Sequence, residues 1–198
     1  LDDCGNVNAG ITNGGAMVGA SYDFGTGFTI AGGYAAGESD MATGLMTKET
    51  LDAYGVNAAY TGDNFGLSIT YGLVETSSAD EDTFTAFNGY YSPDGFASIS
   101  VGYEIGEDGS VTDKTADELT SFFVGLQFDE LGPGTAGIAY GTKTPTVEKT
   151  DEQYMYEAYY SYPINDGMTI TPVVFVKEVS TSGVDDETGV MVKTSFSF

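Results

Sequence analysis

NFGLSITYGL, residues 64–73, is the stretch whose reading decides the fold. Phe65, Leu67, Ile69, Tyr71 and Leu73 fall on one parity, and Gly66, Ser68, Thr70 and Gly72 on the other. A period of two is the side-chain spacing of a β-strand. The composition of the polar side then separates two kinds of sheet. A soluble sandwich hides its apolar parity in a core and shows water mostly long, charged side chains. Here the polar side is Gly, Ser and Thr, as in a strand that turns its apolar side to hydrocarbon and its small side to a water-filled interior.

The same division recurs along the chain. FASISVGYEI (96–105) sets Ala97, Ile99, Val101, Tyr103 and Ile105 against Ser98, Ser100, Gly102 and Glu104. SFFVGLQF (121–128) gives Phe122, Val124, Leu126 and Phe128, and QYMYEAYYSY (153–162) gives Tyr154, Tyr156, Ala158, Tyr160 and Tyr162. TFTAFNGYY (83–91) is ambiguous, because both parities carry an aromatic residue. Eleven strands are expected, near 14–24, 27–36, 51–62, 64–75, 82–92, 95–105, 118–129, 134–143, 153–162, 167–178 and 188–198. Tight turns (GTG 25–27, DN 63–64, PDG 93–95, LGPG 131–134, IND 164–166) alternate with long polar connections at about 37–50, 76–82, 106–117, 144–152 and 179–187. Short turns at one end and long loops at the other are the layout of an antiparallel, up-and-down transmembrane β-barrel.

Charge placement sharpens the reading, since a lysine facing lipid at mid-membrane costs about 2–4 kcal/mol. Lys177 and Lys193 take the small parity, as do Asp23, Glu104 and Glu157. Asp52 breaks the pattern at the loop end of its strand. The expected lumen-lining residues are therefore Asp23, Ser68, Thr70, Ser98, Ser100, Glu104, Glu157, Lys177 and Lys193. Glu157 and Lys193, one strand removed from each other, are expected in a mixed-charge ring that sets the field of a pore. Pro172, on the apolar parity, removes a ladder donor and points to a bulge or an edge, at a subunit contact.

The chain ends in GVMVKTSFSF (189–198), an amphipathic strand closing on Phe196 and Phe198, which read as an assembly signal. Residues 1–198 are taken as one barrel domain. Single-chain bacterial barrels have even strand numbers with both ends on the short-turn side, so at least one strand is expected before Leu1, in a whole barrel of about 16 strands.

YEAYYSYPINDGMTITPVVFV (156–176) resembles the penultimate hairpin of cyanobacterial outer-membrane porins. VKTSFSF (192–198) resembles their closing strand, and AFNGYYSPDGF (86–96) is similar to their internal hairpins. These porins are similar to carbohydrate-selective porins and are sometimes described as iron-uptake porins. Where the family usually ends with arginine, this chain has Lys193. The resemblance implies passive passage of small hydrophilic or inorganic solutes, through a homotrimer.

The composition excludes much else. The net charge is −24, with six lysines and no arginine, so nucleic acid is repelled. There is no histidine and one cysteine, Cys4, which removes Ser-His-Asp and Cys-His catalysis and any internal disulfide. No enzyme is expected. Gly132, Gly134 and Gly137 satisfy G-x-G-x-x-G, but GTAGIAYGT continues as a strand, so a tight turn is the better account. Carboxylates crowd the loops (Asp80, Glu81, Asp82; Glu107, Asp108, Asp113; Asp185, Asp186, Glu187) without EF-hand spacing, so no cofactor is expected beyond loosely held Ca²⁺ or Mg²⁺.

The expected function is a porin of the bacterial outer membrane, in contact with membrane lipid and lipopolysaccharide, passing small solutes or ions and favouring cations. The alternative is a non-conducting structural or adhesive surface protein with acidic loops.

Overall fold

The computed structural model describes residues 16–36, 52–75, 80–110, 118–143, 146–147, 152–179 and 184–197. The strands are β1 (Ala16–Asp23), β2 (Phe28–Ala36), β3 (Asp52–Thr61), β4 (Phe65–Glu75), β5 (Glu81–Tyr91), β6 (Ser98–Glu107), β7 (Glu118–Leu131), β8 (Gly134–Thr142), β9 (Thr146–Val147), β10 (Tyr154–Asn165), β11 (Met168–Lys177) and β12 (Glu187–Phe196). Eleven of them follow one another in a single sheet, in the order β1-β2-β3-β4-β5-β6-β7-β8-β10-β11-β12, and β9 pairs with β7 off this path. These eleven are the strands expected from periodicity. The two-residue β9 lies within the 144–152 connection, expected to be a loop, and is too short to leave a periodic signal.

Three of the tight turns are built on glycines that take positive φ: Gly25 and Gly27 after β1, Gly95 after β5 and Gly132 after β7. The Asp23 carboxylate accepts the Gly25 N–H at 2.7 Å, fixing the first of them. After Gly132 the chain enters strand β8 at once, so this glycine-rich stretch is a hairpin turn.

Contacts divide the chain into two units, one of residues 1–88, 103–120 and 147–149, the other of 89–102, 121–146 and 150–198. In the first unit, register fixes which side chains share a face, because directly opposed residues in antiparallel strands point the same way. Tyr22↔Ile30↔Ala58↔Ile69 is one row of the apolar face, and Gly32↔Val56↔Tyr71 another. Aromatic side chains gather at the two ends of this face. Tyr22, Phe24 and Phe28 touch at 4.8 and 5.3 Å, and Tyr60 and Phe65 at 5.7 Å, by the short turns. Tyr34 and Tyr54 touch at 5.1 Å at the far end.

In the second unit the apolar face runs Val124↔Tyr140↔Tyr156↔Val176↔Thr188 and Leu126↔Ile138↔Ala158↔Val174↔Val190. Phe122, Tyr140, Tyr154 and Tyr156 cluster with centroid distances from 4.9 to 6.1 Å at the loop end, while Tyr160 and Tyr162 lie 6.4 Å apart towards the turn end.

The apolar faces are not a core. Among the described residues, the buried hydrophobic side chains are Ala53, Ala86, Ala97 and Val173. Leu67 is 59% exposed and Val101 45%, while Thr70, on the small parity, is 4% exposed. A soluble sandwich would bury the leucines and expose the threonine.

One expectation needs correction. Pro172 marks neither a bulge nor an edge: it pairs with Val192 in β11, which has β10 on its other side. The register shift falls instead between Pro163 and Asn165. Opposite the proline, β10–β11 pairing passes from Tyr159↔Val173 directly to Tyr162↔Ile170, and a Thr171 Oγ1 to Ser161 Oγ hydrogen bond of 3.1 Å spans the interval. Asp52 breaks parity as expected and is fully buried.

Candidate functional site

The small faces hold the candidate residues. In the first unit four glycines stand opposite one another, Gly19↔Gly33↔Gly55↔Gly72, making a row of bare backbone across β1–β4. Beside it lies Ser21↔Ala31↔Asn57↔Thr70, and then Asp23↔Thr29↔Ala59↔Ser68. Asn57 Nδ2 donates to Thr70 Oγ1 at 2.8 Å and to the Ile69 carbonyl at 3.2 Å, so Thr70 is held in a cross-strand bond. Glu104 sits on β6 between the buried Gly102 and Gly106, half-buried, on the small parity.

Phe84 resolves the ambiguity of β5. A Cβ on Gly72 would lie 2.0 Å from Phe84 Cζ, so the Phe84 ring lies flat over that glycine, and Gly106 borders it at the Phe84 Cβ. Phe84 therefore belongs to the small face, and the exposed Phe87 to the apolar one.

In the second unit the small face carries more bulk and most of its charge. One row is Phe123↔Gly141↔Met155↔Lys177↔Glu187, the next is Gly125↔Ala139↔Glu157↔Phe175↔Gly189, and the third is Gln127↔Gly137↔Tyr159↔Val173↔Met191. Each aromatic ring in these rows stands beside a glycine. Tyr159 covers Gly137 and Phe175 covers Gly189, where an added Cβ would lie 2.2 and 2.1 Å from the rings. The Tyr159 hydroxyl reaches across Gly137 to donate to Gln127 Oε1 at 2.6 Å, and Gln127 Nε2 donates to Asp129 at 2.7 Å. Ser100 Oγ lies 2.7 Å from where a Gly125 Cβ would be, and Ser98 is two residues earlier on the same face of β6.

The three charges expected here have different surroundings. Lys177 Nζ lies 4.8 Å above the Phe175 ring and 3.9 Å from Glu187 Oε1, so its charge is answered locally. Glu157 and Lys193 form no ion pair among the described residues. They share the small face but not a row, because Glu157 is level with Phe175 and Gly189, and Lys193 lies four residues beyond Gly189. Two strand spacings and four residues of rise separate them by about 16 Å, about twice the screening length at physiological salt. The register thus places them as separate charges at different levels of the face.

Asn57, Gln127, Tyr159 and Phe175 were not among the expected site residues. The two amides do lie on the small parity of their strands and were legible there; the aromatics were not, because a ring on that parity reads as noise until its glycine partner is known. Three of the described loop acids accept hydrogen bonds from loop residues. Asp82 accepts the Gly109 N–H, Asp108 accepts Ser110 N–H and O–H, and Asp186 accepts the Val179 N–H. Among the described residues no three acidic or other metal-ligating side chains converge. Phe196 pairs with Met168 near the end of β12. Phe198 and Asp113 lie outside the described residues.

No family model and no curated protein matches the chain. Its fold does match solved structures. The anion-selective porin from Comamonas acidovorans superposes with a TM-score of 0.69 at 14% identity, over 92% of this chain and 59% of that one. A mutant of the Rh. blastica porin does so with a TM-score of 0.62 at 16% identity, over 96% and 57%. The chain thus spans a little under three-fifths of the length of either porin. At these identities the likeness is one of architecture: this all-β, antiparallel sheet has the fold of porin β-barrels.

Proposed function

We propose that the chain belongs to an outer-membrane porin that passes small hydrophilic solutes or inorganic ions passively. One observation carries this reading: in β4 and β6 the apolar parity is the exposed one, with Leu67, Ile69, Tyr71, Val101 and Tyr103 open, and the small parity the covered one, with Gly66, Thr70, Gly72, Gly102 and Gly106 buried. Leu67, Ile69 and Tyr71 gain their transfer free energy only if hydrocarbon lies against them, at about 25 cal/mol per Å². The aromatic clusters support it. From Tyr154 to Tyr162 is about 27 Å of strand, which a tilt of about 40° brings near the apolar height of a barrel wall. Lipid and lipopolysaccharide would meet the apolar face, and a homotrimer would cover part of it. The YEAYY and VKTSFSF resemblance favours the cyanobacterial kind.

On this reading Asp23, Ser68, Thr70, Ser98, Ser100, Glu104, Glu157, Lys177 and Lys193 line water, with Asn57 and Gln127 beside them. Phe196 and Phe198 serve as the assembly signal. The surplus of acids favours cations through an ordinary Coulomb attraction that salt screens. Glu157 acts on its own level, without Lys193 to neutralise it.

The test is reconstitution of the full-length protein in a planar bilayer. Stepwise, salt-dependent conductance with a reversal potential on the cation side is the expected result. A folded, heat-modifiable protein that stays electrically silent would move the assignment to the non-conducting surface class.

A further inference from the structure

Among the described residues, one row of the second unit's small face ends on a lysine without an acidic partner and also carries several hydroxyls. Thr135 is opposite Ser161, Thr171 is opposite Lys193, and Thr171 is joined to Ser161 by its hydrogen bond. The next pair, Thr169↔Ser195, adds two more hydroxyls. With Thr171 donating, Ser161 keeps its own O–H to give. The row therefore offers an ammonium group and a free hydroxyl proton within two strand spacings of each other, about 10 Å.

The acid within the row is Asp129, at its β7 end, two strands from Ser161 and four from Lys193. Glu157 is two rows away along its own strand, and Asp166 lies in the turn between β10 and β11, five residues from Thr171. Asp129, on β7, is engaged by Gln127, and its carbonyl accepts the Thr135 hydroxyl at 3.2 Å. Lys193 is exposed and forms no hydrogen bond or ion pair among the described residues, so nothing there competes for its donors. Ammonium and hydroxyl donors facing water suit a tetrahedral oxyanion, which accepts several charge-assisted hydrogen bonds at once.

We infer that Lys193, Thr171 and Ser161 form a binding subsite for small inorganic oxyanions, phosphate being the type. The inference rests on the porin reading for its biological setting, since a subsite on the small face would give an acidic, cation-favouring pore one level at which anions pause.

The experiment titrates inorganic phosphate into the full chain folded in detergent, followed by phosphorus NMR line broadening, and separately records bilayer current as phosphate replaces chloride. Saturable binding is expected. Lys193→Gln should weaken it about tenfold, the loss of a charged donor, and Ser161→Ala about threefold. Lys193→Arg, which keeps the charge, should retain it. Circular dichroism of each variant checks that an exposed-residue change has left the fold intact. Undiminished binding in Lys193→Gln would overturn the subsite, as would an absence of binding in the native chain. Binding without conductance would count against the porin reading alone, and conductance without binding against the subsite alone.

Discussion

Phe175 lies flat on the glycine opposite it, Gly189, in the β11–β12 pair. The ring fills the space a side chain at 189 would occupy, which is how an aromatic residue can sit on the small face without standing up from it. Gly189→Ala puts a methyl 2.1 Å from the Phe175 ring and must lift the ring off the sheet. Overpacking of this kind costs about 1–3 kcal/mol. Urea unfolding of the detergent-folded protein should show that loss, and Phe175→Ala in the same chain should remove most of it, a coupling that independent sites would not show.

Ile69 and Ser68 are neighbours on opposite faces of β4. If hydrocarbon meets the Ile69 side, Ile69→Lys should destabilise the vesicle-inserted protein by about 2–4 kcal/mol and Ser68→Lys by much less. Equal penalties would remove the assignment of faces on which the transport reading stands.

Glu157 stands without a counter-charge among the described residues, so its reversal should be felt. Glu157→Lys is expected to shift the reversal potential in a salt gradient towards anions, with the shift shrinking as ionic strength approaches 1 M, where the screening length is about 3 Å. An unchanged reversal potential would place this residue in a lumen too wide for one charge to govern.

Calcium offers a simple measurement. Asp82, Asp108 and Asp186 already accept hydrogen bonds within their loops. The melting temperature is expected to stay constant on adding millimolar calcium and on chelation; a rise that chelation reverses would reveal loosely held ions.

The sequence was most informative about faces and least about levels. Period-two alternation in NFGLSITYGL and FASISVGYEI separates the exposed Leu67, Ile69, Tyr71, Val101 and Tyr103 from the buried Gly66, Thr70, Gly72 and Gly102, because the signal is local to each strand, while Ala97, just before β6, is buried despite its apolar parity. Register is not local. The distance between Glu157 and Lys193 depends on two hairpins and on the shift between Pro163 and Asn165, none of which periodicity records. Likewise Phe84 could not be assigned from TFTAFNGYY, since its place is set by Gly72 on the preceding strand. Pro172 was read for the donor it lacks, but the ladder carries no shift there, and a side-chain bond between Thr171 and Ser161 lies beside the gap.

The line Gly19, Gly33, Gly55 and Gly72 acts as a crease. Four strands carry no side chain of their own at one level, so the sheet can curl towards that side there without crowding, and at Gly72 the space is taken by the Phe84 ring. Its members are unequal: a methyl at Gly72 would run into the Phe84 ring, whereas one at Gly55 or Gly33 would meet only ordinary contacts, so the intolerance of the line to alanine should sit at its Gly72 end.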